Sequence, residues 1–136
     1  MQEVFDFEEA IKSIEDEHNR LTKFIQEHLK ENEDYGTLRE GPKKCLYKSG
    51  AEKIAKLYGY SIAFDVQEKI IDLSKPMFFF AIKCTLMQGD KSYEGFGAYC
   101  SLEECTGDIQ DEFFKANYAI KMAKKRALVD AVLTAA

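Results

Sequence analysis

The sequence lacks any long hydrophobic run, and its first residues are acidic. No apolar segment approaches the roughly 20 residues that span a bilayer. The opening MQEVFDFEEA has neither the positive charge nor the apolar core of a signal or transit peptide. These two absences argue against a membrane-spanning or exported protein. We therefore expect a soluble protein that acts in the cytoplasm.

The sequence also lacks the common motifs of catalysis and metal binding. It contains neither G-x-S-x-G nor H-E-x-x-H, and GDKSYEGFG is not a Walker loop. His18 and His28 do not form an i, i+4 metal pair. Among the four cysteines only Cys100 and Cys105 approach zinc-ligand spacing, which favours reduced thiols. We expect no enzymatic activity, no cofactor and no metal.

The organisation of the chain is that of one domain. It has 136 residues, 46% of them hydrophobic, with no internal repeat and no flexible linker. A chain of this length buries roughly two-thirds of its unfolded surface, which is enough for one core. We predict a single domain over residues 1–136, with an acidic N-terminal helix over 1–33 and the core over 34–136.

The net charge of -5 conceals an uneven distribution along the chain. Residues 1–36 hold eleven acids and four bases, whereas residues 37–136 hold thirteen acids and fifteen bases. Within the second part, residues 37–60 have six bases and two acids. Because a partner responds to local fields, an anionic partner remains compatible with this acidic protein if it avoids the first helix.

Hydrophobic periodicity predicts an α+β fold with the order α-α-β-β-β-α. Ser49 is a candidate cap for the short second helix, and Gly59 is expected to end it. A Gly-Asp turn joins two of the strands, and the basic segment before the second helix is expected to be an ordered loop or a short hairpin. The expected elements are helices over 4–32, 51–59 and 112–133, and strands over 60–73, 76–88 and 91–102. The fold class is therefore a three-stranded antiparallel meander packed against helices.

The terminal helix carries bases on one side, with no intervening acid. In KANYAIKMAKKRALVD, Asn117, Lys121 and Lys124 follow i, i+4, i+7 spacing and project the same way. Arg126 points elsewhere and has Asp130 at i+4, which favours an ion pair on the helix surface. The lysines either solvate the helix, line a groove for an anion, or pair with acids from another segment.

A second basic cluster lies in GPKKCLYKSGAEKIAK. Lys43 and Lys44 on a Pro/Gly loop suit contacts with a phosphate chain. Lys48 precedes the N-terminus of the short helix, whose free amides also favour an anion. By itself this pattern is equally typical of a solvated surface.

Two stretches together resemble a known family. DYGTLREGPKKCLYKSGAEKIAKLYG, and GFGAYCSLE followed by NYAIKMAKKRALVDAVLTA, are similar to segments of phage single-strand annealing proteins of the Sak type. These are distant relatives of the Rad-fifty-two annealing superfamily, and the resemblance covers about residues 34–134. It implies a β-β-β-α core that acts in phage homologous recombination and DNA repair, in the cytoplasm of the host cell.

The resemblance also implies how such a protein works. Single-stranded DNA lies in a basic groove on a ring-shaped or helical homo-oligomer, and complementary strands are paired without ATP. A single-strand binding protein is an expected further partner. The DNA-binding candidates that it implies are Lys43, Lys44, Lys48, Lys53, Asn117, Lys121, Lys124, Lys125 and Arg126.

Two other functions are compatible with the sequence. One is a non-enzymatic oligomeric interaction module that binds a host protein through its acidic first helix. The other is a small nucleic-acid enzyme, for which the carboxylates Glu103, Glu104 and Asp108 are the candidate metal ligands.

Overall fold

The computed structural model describes residues 5–37, 43–102 and 112–135. Within these residues the chain is α+β, with three helices, a three-stranded antiparallel sheet and a two-stranded hairpin. The elements are α1 (Phe7–His28), β1 (Tyr35–Thr37), β2 (Lys44–Leu46), α2 (Lys48–Tyr58), β3 (Ser61–Asp72), β4 (Met77–Gln88), β5 (Lys91–Cys100) and α3 (Glu112–Ala135). The predicted fold class is confirmed, and the order differs from the prediction by the β1–β2 hairpin.

Helix α1 is only loosely attached to the rest of the protein. Asp6 caps it by accepting hydrogen bonds from the amides of Glu8 and Glu9, at 3.0 and 3.2 Å. None of its residues is buried. Its C-terminal half packs partly against the core through Leu21, Phe24 and Ile25. Its N-terminal half leaves apolar side chains exposed.

Helix α2 begins three residues earlier than predicted. Tyr47 is its N-cap and Lys48 its first residue, so the prediction that Ser49 caps it is wrong. The Ser49 hydroxyl instead donates to the Asp34 carboxylate at 2.6 Å, because the hairpin brings that side chain against the first turn. The predicted end is confirmed: Gly59 is left-handed, with φ 70°, and its amide bonds back to the helix.

The sheet is a meander in the order β3-β4-β5, with α3 on one face. Gly89, with φ 59°, makes the tight β4–β5 turn that the sequence predicts. Strand β4 alternates between the two faces, and its side chains toward α3 are fully buried. Those buried side chains are Phe78, Phe80, Ile82, Cys84 and Leu86. Burial raises the pKa of the Cys84 thiol to about 11.

Helix α3 lies directly on two glycines of β5. A Cβ atom at Gly95 would overlap the backbone of Ala131, and one at Gly97 would overlap the backbone of Ala127. Glycines inside a strand mark either a bulge or a close backbone contact, and those of GFG make a close contact, since only glycine and small helix residues permit this approach. No helix in the described ranges, α3 included, is long and apolar enough to cross a membrane.

Strand β3 is one of the two edge strands of the sheet, the other being β5, and it contains a β-bulge. Val66 pairs with Ile82, but Glu68 pairs with Ala81 and Lys69 with Phe80, so Gln67 is the extra residue. Up to Val66 the even-numbered residues lie on the α3 side of the sheet. After the bulge the odd-numbered residues lie there, which places Lys69 rather than Glu68 on that side.

Candidate functional site

An exposed surface lies where α3 approaches β3. We call it the α3–β3 trough and define it by Asn117, Lys121 and Lys124 on the helix and Ile62, Phe64 and Val66 on the strand. The Lys124 ammonium lies 4.8 Å from the centroid of the Phe64 ring, in cation–π range, and joins the two walls. The three strand residues are 38–48% exposed, although they lie on the face of the sheet that α3 partly covers.

Strand register shows how far the trough extends. Phe64 lies in a row with Cys84 and Gly95, over which α3 passes at Ala131. Lys69 lies in a row with Phe80 and Tyr99, and the Tyr99 ring contacts Tyr118 of α3, with centroids 5.6 Å apart. The segment of α3 from Tyr118 to Ala131 therefore crosses the rows from Lys69 to Phe64.

Lys69 and Phe64 are site residues that the sequence analysis missed. The alternation of Ile62, Phe64 and Val66 predicts only a strand, in which an apolar residue such as Phe64 is usually buried. Lys69 would lie on the opposite face of an unbulged strand. Lys69 reaches the α3 side only because of the bulge at Gln67. The alternation of apolar residues along β3 runs only from Ile62 to Val66, so it does not indicate which face Lys69 occupies.

Helix α2 packs against α3. Leu128 and Val132 continue the same side of α3 as Lys124 and are buried. The two helices that carry most of the predicted basic residues are therefore in contact. Lys48, at the start of α2, and Lys43, just before β2, are exposed.

Two lysines of the first cluster are held by carboxylates. Lys44 lies 3.2 Å from Glu31, with its ammonium 5.8 Å from the centroid of the Tyr35 ring. Lys53 lies 2.8 Å from Asp34. Their contacts in the structure are thus with the segment between α1 and β1, and their contact with DNA stays a prediction.

Asp34 is fully buried, and its carboxylate accepts three hydrogen bonds. The donors are the Lys53 ammonium at 2.8 Å, the Ser49 hydroxyl at 2.6 Å and the Lys30 amide at 2.8 Å. These bonds, that from Lys53 first, lower its pKa from 3.8 to about 2. The Asp34 carbonyl also accepts from the Tyr47 amide at 2.9 Å. Asp34 thereby ties the start of the hairpin to the first turn of α2. These bonds account for the aspartate of the D-Y-G stretch and for its distance from the K-S-G-A-E-K stretch, which contains Ser49 and Lys53.

Arg126 and Asp130 face the other side of α3, toward β5. Arg126 donates to the Ala98 carbonyl at 2.7 Å, and its guanidinium lies 5.1 Å from the centroid of the Tyr99 ring. Asp130 accepts from the Phe96 amide at 2.8 Å. Both residues therefore satisfy outward-facing backbone groups of the edge strand. Arg126 points away from Lys124, as predicted.

Three other site residues differ in exposure. Asn117 and Lys121 are exposed, while Lys125 is half-buried. Within the described residues, Lys121 and Lys124 have no carboxylate within ion-pair distance. The trough therefore presents cations that no described carboxylate neutralises, beside an exposed aromatic ring and aliphatic side chains. Such a surface suits a polyanion that also carries flat apolar groups.

The structure describes little that bears on metal chemistry. Glu103, Glu104 and Asp108 lie outside the described residues. Within the described part of the chain, no group of three or more histidines, cysteines or carboxylates is placed to hold a metal ion.

Comparison of the chain with protein-family models, curated proteins and solved structures finds no match. Support for a function therefore comes from the sequence motifs and from the geometry of the α3–β3 trough.

Proposed function

We propose that the protein binds single-stranded DNA and anneals complementary strands without ATP, as a homo-oligomeric recombination protein of the Sak type with a Rad-fifty-two-like core. The observation that carries the proposal is the α3–β3 trough, in which Lys124 lies against the exposed Phe64 ring. The order β3-β4-β5-α3, with α3 packed across one face of the meander, supports it too. That order is the one that the sequence resemblance implies.

The trough fits a single strand better than a duplex. Lysines contact phosphates through charge and reach rather than fixed geometry, so they bind a strand of any sequence. An exposed aromatic ring such as Phe64 stacks on a base, and such stacking contributes about 1–3 kcal/mol per base. A duplex has its bases already stacked and offers no free face to the ring. We therefore expect a preference for single strands.

Annealing follows from binding that leaves the edges of the bases open. The lysines neutralise the phosphates, which lowers the repulsion between two strands that approach each other. Duplex formation is itself favourable, with stacking worth about 1.4 kcal/mol per step. A protein that only aligns strands and screens their charge therefore needs no ATP.

Fluorescence anisotropy with a labelled single-stranded oligonucleotide tests the proposal. With about five phosphate contacts, the log–log slope of affinity against salt is about -3.5, or roughly a hundredfold loss from 50 to 200 mM salt. Lys121→Glu with Lys124→Glu should abolish binding. Lys56→Glu with Lys91→Glu is the matched control, because it makes the same charge change at exposed positions in α2 and at the start of β5.

The control should retain most of the affinity. Phosphate contacts are stronger at about 50 mM salt than at about 200 mM. Absence of binding at the lower concentration would therefore refute the proposal. Equal losses in the two double variants would also refute it, because the effect would then come from net charge and not from the trough.

A second candidate is an interaction module that acts through α1. The observation that favours it is the exposure of Phe7, Ile11 and Ile14, which are 53–72% exposed on an otherwise acidic helix. This function predicts no DNA binding at any salt concentration. The anisotropy titration therefore distinguishes the two.

A further inference from the structure

The N-terminal half of α1 presents an apolar stripe that its own chain leaves open. The stripe consists of Phe7, Ile11 and Ile14, spaced i, i+4, i+7 and so on one side of the helix. The C-terminal half of α1 is held against the core, and a cleft of about 610 Å³ lies between α1 and the end of α2 at Leu57 and Tyr58. Without a partner, these three side chains remain in water.

The stripe has acidic borders. Residues 5–17 hold six acids and one base. Glu8 and Glu15, seven residues apart, lie along one border of the stripe, since each is three or four residues from Ile11. This half of α1 therefore combines an apolar surface with negative charge.

The α3–β3 trough has the complementary properties. Its floor is apolar, and its rim carries Lys121 and Lys124, with Lys69 in the next row of the same face. Neither lysine of the rim has a carboxylate partner among the described residues. The trough and the stripe are both exposed in the same chain, so α1 does not cover its own trough.

The two surfaces also match in length. From Phe7 to Ile14 the helix rises about 10 Å, at 1.5 Å per residue. From Ile62 to Val66 the strand extends about 13 Å, at 3.3 Å per residue. Two turns of helix therefore fit the open part of the trough.

We propose that the N-terminal half of α1 docks in the α3–β3 trough of a second copy of this chain. The apolar stripe lies on Ile62, Phe64 and Val66, and Glu8 and Glu15 pair with Lys121 and Lys124. The contact joins two different surfaces, so it repeats from copy to copy and builds a ring or a filament. Because these lysines are also the proposed DNA contacts, α1 and DNA compete for the trough, a consequence that rests on the proposed function.

A charge-exchange experiment on the full chain tests the contact. One variant carries Lys121→Glu with Lys124→Glu, and the other carries Glu8→Lys with Glu15→Lys. Molar mass is measured by light scattering without DNA, and circular dichroism checks that each variant is folded. The wild type should assemble, while each variant alone should be a monomer, because its stripe and its trough then have the same charge.

An equimolar mixture of the two variants should recover the wild-type mass. In the mixture each acidic α1 meets a basic trough, and each basic α1 meets an acidic trough. A non-specific loss of structure in either variant would not be repaired by mixing. Lys56→Glu with Lys91→Glu is the control and should assemble as the wild type does.

Ile11→Ser with Ile14→Ser tests the apolar part of the contact without any change of charge. This variant should also be monomeric. The inference is overturned if the wild type is a monomer, if the charge variants assemble on their own, if their mixture stays monomeric, or if the serine variant assembles.

The two proposals fail in different measurements. A monomeric wild type that binds single-stranded DNA through the trough overturns the docking of α1 and leaves the proposed function standing. Charge-dependent assembly without any DNA binding overturns the proposed function and leaves the docking standing.

Discussion

Replacing Asp34 by asparagine should destabilise the protein in a manner that depends on pH. Three donors converge on the two carboxylate oxygens of Asp34. An amide offers one acceptor oxygen, and its NH₂ group would face at least one of the donors. The variant therefore loses the charge-assisted bond with Lys53 and leaves a buried donor without an acceptor.

The magnitude follows from the pKa of Asp34. A fall from 3.8 to about 2 corresponds to about 2 kcal/mol of folding free energy at neutral pH. Lys53 is 41% exposed, so solvent screening reduces the contribution of that ion pair, and we expect a net loss of about 1–2 kcal/mol. Because the pKa is lowered on folding, this stability is fully present above the unfolded-state value of 3.8. It is lost as the pH falls through the folded-state value of about 2.

Urea unfolding of the wild type and of Asp34→Asn across this pH range measures the effect. The difference in unfolding free energy should be constant from neutral pH down to about 5 and should shrink below the unfolded-state pKa. Asp90→Asn, on the exposed β4–β5 turn, is the control and should show no difference. A difference that persists unchanged to about pH 2.5, or none at neutral pH, would refute the role of the buried carboxylate.

Three further effects are expected. Gly97→Ala should lower the unfolding free energy measured in urea by about 2–3 kcal/mol, because the added methyl group would overlap the backbone of α3. An unchanged midpoint of the urea unfolding curve would contradict that packing. Asp130→Ala should speed hydrogen exchange of the Phe96 amide and cost about 1 kcal/mol, and unchanged exchange would show that the bond is not formed in solution. Burial raises the pKa of Tyr60, and the charge of Glu17 adds to this shift. Glu17→Gln should therefore lower the pKa of Tyr60 in an absorbance titration. Because burial remains, the pKa should stay above the usual 10.0.

The sequence predicted the sheet and α3 well because their patterns are local. Strand β4 alternates strictly between its faces, and Gly89 makes the turn that follows it. The close contact of Gly95 and Gly97 with α3 likewise depends on small residues that can be read directly from the sequence. Helical periodicity alone predicted that Arg126 points away from Lys124, whereas its hydrogen bond with the Ala98 carbonyl depends on the sheet.

Features that depend on distant partners were not predictable. Ser49 is a good cap by local rules, but Asp34, fifteen residues away, takes its hydroxyl. Lys53 is a DNA-binding candidate because it lies in a segment that resembles annealing proteins, and its ion pair with the same carboxylate could not be read from that segment. No periodicity reveals a pairing between a hairpin and the first turn of a helix. Lys69 was missed for a related reason, since one extra residue in β3 changes which face it occupies.

The bulge at Gln67 decides the sign of the charge that β3 presents at this end of the trough. If β3 ran without the bulge, with Gln67 paired to Ala81, simple alternation would turn Glu68 and Asp72 inward in place of Lys69. The composition of the strand would not change, yet a base would be exchanged for two acids opposite α3. Since the outer edge of β3 is unpaired in the described structure, such a change in register disturbs only one ladder. A shift in register here, more than substitutions, is therefore the route by which this surface would gain or lose its affinity for anions.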